Sequence, residues 1–382
     1  MPCRPFVVAV VCSAMFVFAH AAQADAFFIE RAFDPKITLE TGKSDRAVLE
    51  LNLGGQRQRV LLQPNTVLER RIARLVPGVA AKRQRLYLGE IAGQAGSWVR
   101  LSRTDGLWEG ALWDGHDMWN LTAARELPEA AATAGVSTGS IVYRGRHAWD
   151  RMDMRDDVRR TPLAPSAPAR HAAAKGGGFE LGLSIVVDTQ FQALYGDEAA
   201  RVASIVNIID GYYAAANTDV YLHALRLLPA GNAGIVGTDT GALLDQLQDY
   251  VLTPAAPAFR AATHLISGKP GIGGGLAYFD ILCNQEFSIG VSGGDVDIGT
   301  TAAIVAHELG HNYGAEHDGE PDTHAAGCPN NGFVMEPVIT IGDPADSFST
   351  CSLSRFAARA PTYACLAGTG GPDDLFSDSF EN

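Results

Sequence analysis

Cysteine is scarce in the 382-residue chain and unevenly distributed. None of the six cysteines lies between Cys12 and Cys283, and no two are spaced as C-x-x-C. This spacing argues against a cysteine-rich zinc site, whose ligands usually occur in such pairs. The last four form an even set, which in an oxidising compartment predicts two disulfides with three possible pairings. These four are Cys283, Cys328, Cys351 and Cys365.

Long apolar runs are also absent beyond the N-terminus, where none reaches the roughly 20 residues of a membrane span. Residues 1–24 combine Arg4, the apolar segment Phe6–Ala19 and a small-x-small sequence, Ala22-Gln23-Ala24. This pattern predicts a cleaved signal peptide, so we expect a secreted protein with no stable membrane span after cleavage. Residues 367–382 are interpreted as an acidic, disordered tail, with retention at the cell surface as the alternative.

Basic residues are rare in the second half of the chain. Residues 176–382 hold six of the 30 Lys and Arg residues but 25 of the 43 Asp and Glu residues, so the net charges before and after residue 175 are +6 and −19. A strongly acidic second half argues against nucleic-acid binding. The opposite signs favour docking of the two halves on each other. The alternative interpretation is that the acidic surface only keeps a secreted protein soluble.

The length and the changing sequence pattern predict two domains. Residues 25–160 contain short runs of β-forming residues separated by glycine, and residues 161–178 form a linker rich in proline, alanine and glycine. Arg159-Arg160, just before the linker, is a candidate processing point. Residues 179–366 alternate predicted strands and helices, which indicates an α/β domain. These elements are strands at Leu183–Val187, Val220–Leu228 and Thr263–Ser267, and helices at Ala199–Ala216 and Ala242–Val251.

A further helix is expected over Thr300–Tyr313, with Thr300 as its N-cap. It carries His307 and His311, whose separation of four residues places both imidazoles on one helix face. Two ring nitrogens can then converge on one zinc ion. Glu308 lies beside the first histidine, where a carboxylate can take a proton from a metal-bound water.

Two further residues extend this pattern. Gly314 suits a left-handed turn at the end of the helix, and the chain can then return to present His317 as a third ligand. Three protein ligands leave a fourth position open for water, as a catalytic zinc site requires. A helix with two surface histidines would leave the third histidine unexplained. His223, His264 and His324 are interpreted as surface or core residues.

The run His307–Asp318, H-E-L-G-H-N-Y-G-A-E-H-D, resembles the zinc-binding motif of the metzincin peptidases. Asp318, directly after the third histidine, is similar to the adamalysin or reprolysin branch, and Met335 falls where that branch has its Met-turn. The resemblance spans residues 179–366. It implies an α/β metzincin, or zincin-like, catalytic domain with a twisted mixed sheet and an active-site helix, preceded by a β-rich prodomain.

The resemblance also implies roles for individual residues. His307, His311 and His317 would bind one catalytic zinc ion, and Glu308 would act as general base and later as proton donor. The segment Gly275-Leu276-Ala277-Tyr278 would be an edge strand that pairs with an extended peptide. By the same resemblance, the disulfides would be Cys283–Cys365 and Cys328–Cys351.

Two departures from the family pattern matter. The leading domain has no cysteine after the signal peptide, so a cysteine thiolate cannot block the zinc. His116, His147, an aspartate or simple occlusion could serve instead. Glu180 matches one carboxylate of the family's calcium site, but the acidic partner expected near Ala261 is missing, which counts against calcium.

The sequence therefore predicts a secreted zinc-dependent endopeptidase made as a zymogen. Its partners would be protein or peptide substrates and its own prodomain, which would act as an inhibitor. The alternative is a zinc-binding protein of the same fold that serves as a binding module without cleaving. The intact Glu308 favours the enzyme, because loss of that carboxylate is the usual mark of an inactive site.

Overall fold

The structure is a computed structural model of the chain. The expected signal peptide, the acidic tail and all of the linker except its two end residues lie outside the described residues. Within the described ranges, no helix is both long enough and apolar enough to cross a membrane. The described residues are 29–31, 38–39, 47–75, 84–133, 135–136, 138–144, 157–161, 178–330, 332–337 and 347–366.

The leading domain is built on an antiparallel sheet, as its β-rich sequence predicts. Its nine described strands follow the order β1-β9-β8-β7-β6-β5-β4-β3-β2. In β3, alternate residues are buried, because successive side chains of a strand point to opposite faces. Helix α1 was not expected from the sequence. The elements are β1 Ile29–Arg31, β2 Thr38–Leu39, β3 Ala47–Leu53, β4 Gln56–Pro64, α1 Thr66–Leu75, β5 Gln84–Ile91, β6 Trp98–Thr104, β7 Leu107–Trp113, β8 Met118–Ala123, α2 Pro128–Thr133 and β9 Ser140–Arg144.

The second domain is a mixed α/β fold, which confirms the predicted fold class. Its sheet has the described strand order β10-β14-β15-β13-β11-β12, in which β10 comes from the end of the leading domain and only the β14–β15 pairing is antiparallel. Helices cover this sheet, and the central strands are buried. The elements are β10 Asp157–Arg159, β11 Phe179–Val187, α3 Thr189–Leu194, α4 Glu198–Tyr213, β12 Thr218–Leu227, α5 Thr240–Val251, β13 Ala262–Ser267, β14 Gly275–Tyr278, β15 Ile289–Gly293, α6 Ile298–Asn312 and α7 Thr350–Arg359.

Helix α6 begins two residues earlier than expected, so the prediction of Thr300 as its N-cap is wrong. Asp297 is the cap, and its carboxylate accepts hydrogen bonds from the backbone N–H groups of Gly299 and Thr300 at 3.0 and 3.1 Å. The Thr300 hydroxyl also donates to this carboxylate, at 2.5 Å. A carboxylate satisfies the free N–H groups of a first turn and complements the positive end of the helix dipole.

One hydrophobic cluster spans both domains. Leu86 and Met118 of the leading domain belong to the same buried cluster as Ile205 and Ile209 of α4. At Gly211, also on α4, a Cβ atom would lie 2.6 Å from the Trp98 ring. Glycine therefore allows the leading domain to approach the helix closely.

Buried ion pairs cross the same interface. Arg201 on α4 is only 4% exposed and reaches Glu109 and Glu126 of the leading domain at 3.2 and 2.9 Å. Arg100 of the leading domain pairs with Asp210 on α4 at 2.9 Å. In the Arg100–Asp210 pair the leading domain supplies the positive charge, as the charge asymmetry suggests. In the Arg201 pairs the leading domain supplies the negative charges instead. The interface thus depends on individual buried pairs as well as on the net charges of the halves.

Candidate metal centre

Helix α6 presents two buried imidazoles on one face, as the spacing predicts. The Nε2 atoms of His307 and His311 lie 3.0 Å apart. The Nδ1 atom of His307 contacts the Val334 carbonyl oxygen, and that of His311 contacts the Ala315 carbonyl oxygen at 2.8 Å. A carbonyl oxygen can only accept, so each Nδ1 carries the proton. In the neutral form of each ring, Nε2 then carries the lone pair that can bind a metal.

The third imidazole arrives through the glycine turn. Gly314 has a φ of 99°, in the left-handed region, and its N–H donates to the His311 carbonyl at 2.9 Å. The helix ends at Asn312, and the chain returns so that the Nε2 atom of His317 lies 3.1 Å from that of His311. The left-handed glycine thus has the position that the sequence predicts.

The donor set fits a zinc ion. The three imidazole nitrogens converge, with Nε2 separations of 3.0 and 3.1 Å. Nitrogen ligands about 2.0–2.1 Å from a tetrahedral zinc lie about 3.3 Å apart, close to these separations. In the described part of the chain, no other set of three His, Cys, Asp or Glu side chains converges in this way. His116 is therefore not a member of such a set, and His147 lies outside the described residues.

Glu308 lies beside the ligand cluster and against strand β14. The side chain is buried, and a Cβ atom added to Gly275 would overlap its carboxylate. Glycine at this position therefore leaves the space that the carboxylate occupies. Glu308 and the first residue of β14 are direct neighbours, so a peptide lying along this strand would pass close to the carboxylate.

Met335 packs against the helix that carries the first two ligands. A Cβ atom added to Gly310 would lie 2.6 Å from the Met335 sulfur, so the methionine packs directly on helix α6. Its carbonyl accepts from the Asp318 N–H at 2.9 Å, and the Ser349 hydroxyl donates to Asp318 at 2.6 Å. Burial raises the pKa of Asp318. Asp318 thus connects the third histidine to the methionine turn and to the start of α7.

The structure joins Cys283 to Cys365 and Cys328 to Cys351, the pairing that the resemblance implies. The Glu180 carboxylate lies 3.6 Å from the Arg71 guanidinium of the leading domain, so this positive side chain stands where calcium would be expected to bind the carboxylate.

His264 is fully buried in β13, where its Nε2 atom lies 2.8 Å from the Ser292 hydroxyl. Burial lowers the pKa of His264 to about 3, so the ring is neutral and serves the core. It takes no part in the ligand cluster.

Strand β14 differs from the sequence expectation in one respect, because it does not lie at the edge of the sheet. The three residues of β10 pair with it in parallel, with Asp157 opposite Leu276 and Arg159 opposite Tyr278. The N–H of Phe279 donates to the Arg159 carbonyl at 3.0 Å. Sequence reasoning missed this pairing, since a three-residue strand with one β-branched residue has no distinct pattern.

Known proteins resemble this half of the chain. The family model described as "Reprolysin (M12B) family zinc metalloprotease" matches residues 181–368. The human "Disintegrin and metalloproteinase domain-containing protein 9" is 27% identical over 208 residues, which cover 51% of this chain and 24% of the relative. "Snake venom metalloproteinase TM-1" of Protobothrops mucrosquamatus is 29% identical over 178 residues, 44% of this chain and 85% of the relative. "Snake venom metalloproteinase H5" of Deinagkistrodon acutus is 28% identical over 178 residues, 44% of this chain and 43% of the relative.

The match thus spans about a quarter of the human relative, under half of one venom protein and most of the other. The mixed sheet, the three converging histidines and the methionine packed on helix α6 define the metzincin class. Within that class, residues 181–368 form a reprolysin-type domain. Proteins of this family are zinc metalloproteases.

The ligand cluster predicts one tight zinc site in the full chain. We expect His311→Ala to abolish zinc binding, because two of the three nitrogens cannot complete the site, while His223→Ala should bind as the wild type does. Zinc titration of metal-free protein, followed by calorimetry, measures both. Affinity should fall as the pH is lowered, because protons compete with zinc for the imidazole nitrogens. Unchanged affinity in His311→Ala would contradict the site.

Proposed function

We propose that the chain is a secreted zinc endopeptidase that hydrolyses peptide bonds in extended polypeptides, with Glu308 as the general base. This proposal is based on three imidazole nitrogens that converge next to the Glu308 carboxylate, which lies against strand β14. His307, His311 and His317 would hold the metal. The reprolysin-type domain supports the same class of chemistry.

The reaction divides between the metal and the protein. Zinc, when bound, supplies a Lewis acid that polarises a substrate carbonyl and lowers the pKa of water. Glu308 accepts a proton from the attacking water and delivers it to the leaving amine. Gly275 leaves the space that this carboxylate occupies, because any side chain there would overlap it.

Substrates would bind as an added strand. The backbone of Gly275–Tyr278 can pair with an extended peptide, which would then pass next to Glu308. Only an unfolded or flexible segment can adopt this conformation, so folded domains would be poor substrates. Two of the three relatives described above carry the name metalloproteinase of snake venom, a secreted fluid. The predicted signal peptide and the two disulfides support export of this chain as well.

We further propose that the leading domain keeps the enzyme latent by occupying this strand. One edge of β14 pairs with β15 and the other with β10, so a substrate cannot pair until β10 leaves. Arg159 binds Asp245, and Arg160 lies 3.5 Å from Glu316 and over the ring of Phe279. This form of occlusion needs no cysteine. Cleavage after Arg159-Arg160 would free the strand from the second domain.

Substituting Glu308 tests the hydrolytic role. Full-length protein is nicked with trypsin, trypsin is blocked with a serine-protease inhibitor, and cleavage of an unfolded fluorescent protein is measured. We expect Glu308→Gln to reduce the rate by about 10²–10⁴-fold, because the amide cannot accept the proton, while zinc still binds. Glu320→Gln, treated identically, should retain the wild-type rate.

Two outcomes would contradict the proposal. Equal rates in Glu308→Gln and wild type would refute the role of Glu308 as general base. A zinc-loaded wild type that cleaves nothing would support the binding-module alternative.

Proline substitutions test the latent strand. The Arg159 carbonyl accepts from Phe279, directly after β14, so in this parallel ladder the N–H of Arg159 faces β14 and that of Val158 faces away. Arg159→Pro removes a ladder donor and should raise cleavage of a quenched fluorescent peptide by the uncut chain about tenfold. Val158→Pro keeps the ladder and should remain near wild type. Arg159→Ala controls for the lost guanidinium, and equal rates in both proline variants would show that the pairing does not limit access.

A further inference from the structure

Asp280 is a buried carboxylate with three partners, just after strand β14. One oxygen accepts from the Arg359 Nε atom at 2.6 Å and from the Tyr363 hydroxyl at 2.7 Å. The other oxygen lies 3.2 Å from a terminal nitrogen of Arg355. The φ of Asp280 is 55°, a left-handed conformation that Asp tolerates better than most residues. A single carboxylate thus joins the end of β14 to two arginines of the C-terminal segment.

Arg355 also reaches the turn between the second and third histidines. Its Nε atom donates to the Gly314 carbonyl at 2.8 Å. A Cβ atom added to Gly314 would overlap the Asp280 carboxylate, and the Asp280 N–H donates to the His311 carbonyl at 2.9 Å. Gly314 is therefore required for its backbone conformation and also for the space that Asp280 fills.

The glycine turn controls two of the three imidazoles. His317 follows it by three residues and lies outside any helix, so the position of this ring depends on the path of the turn. The Ala315 carbonyl, on the same turn, holds the Nδ1 atom of His311. A shift of the turn would move one imidazole and release the hydrogen bond that orients another.

Arg359 provides a natural contrast. It lies one helical turn after Arg355 and binds the same carboxylate. Arg359 also donates to the Tyr363 hydroxyl at 3.3 Å, and its guanidinium lies over the Tyr363 ring. Its backbone carbonyl accepts from the Thr362 hydroxyl. Both arginines thus stabilise Asp280, whereas Arg355 alone of the two donates to the glycine turn.

We propose that Asp280 and Arg355 form a positioning pair that holds the Gly314 turn and thereby sets the places of His311 and His317. The inference rests on the proposed zinc site. Asp280 neutralises the guanidinium and fixes its direction, so that the Nε–H meets the Gly314 carbonyl. Outer partners that orient metal-binding imidazoles commonly change metal affinity by about 10–100-fold when removed.

The test compares Arg355→Met with Arg359→Met in the full-length chain. Zinc affinity is measured by competition with a chromophoric chelator, and the unfolding temperature of the metal-free proteins is measured in parallel. Both variants lose one ion pair with Asp280, so both should unfold at lower temperature. We expect Arg355→Met to weaken zinc binding about tenfold or more, while Arg359→Met stays within about twofold of wild type.

Further variants separate the outcomes. Asp280→Asn should weaken zinc binding, and adding it to Arg355→Met should cause no further loss, because the two residues act through one contact. If Arg355→Met does not fold, Arg355→Gln replaces it. Equal losses of affinity in the Arg355 and Arg359 variants, or wild-type affinity in Arg355→Met, would overturn the proposal. If the wild type itself binds no zinc, or His317→Ala binds as tightly as wild type, the proposed zinc site fails instead.

Discussion

The convergence of three imidazole nitrogens is the constraint on which the second domain depends. The Nε2 atom of His311 lies 3.0 and 3.1 Å from those of its two neighbours, a spacing that suits ligands of one metal ion. Two backbone carbonyls maintain this convergence by accepting from the Nδ1 atoms of two rings and fixing their direction. One belongs to Val334 beside the methionine turn, and the other to Ala315 after the glycine turn. The methionine turn and the glycine turn thus both contact the histidines of helix α6.

The leading domain is built into this arrangement. It packs on α4, and the Tyr213 hydroxyl at the end of α4 donates to the Ala306 carbonyl of α6 at 2.9 Å. Tyr143 of the leading domain binds Asp297, the N-cap of the same helix, and burial raises the pKa of this tyrosine. The leading domain therefore supports the helix that carries two histidines while its last strand covers β14. Separation of the domains would expose the apolar cluster that spans both to water.

The sequence predicts the chemical site better than its surroundings. The spacing of His307, His311 and His317 and the left-handed glycine can be predicted because a helix and a glycine turn impose local geometry. The N-cap was missed in favour of Thr300, although an aspartate just before an apolar helical run is itself a capping signal. Asp280 and its arginines could not be predicted, since they meet across about 75 residues and no local pattern links them. The pairing of β10 with β14 was missed for the same reason, because non-local strand pairing leaves little trace in a three-residue segment.

We infer that the three histidines form one zinc site with a single open position. X-ray absorption of the full-length chain with one equivalent of zinc gives a direct test. We expect three imidazole nitrogens and one oxygen at about 2.0–2.1 Å, and the loss of one imidazole in His317→Ala. A sulfur scatterer at about 2.3 Å, or a shell made only of oxygen, would contradict it.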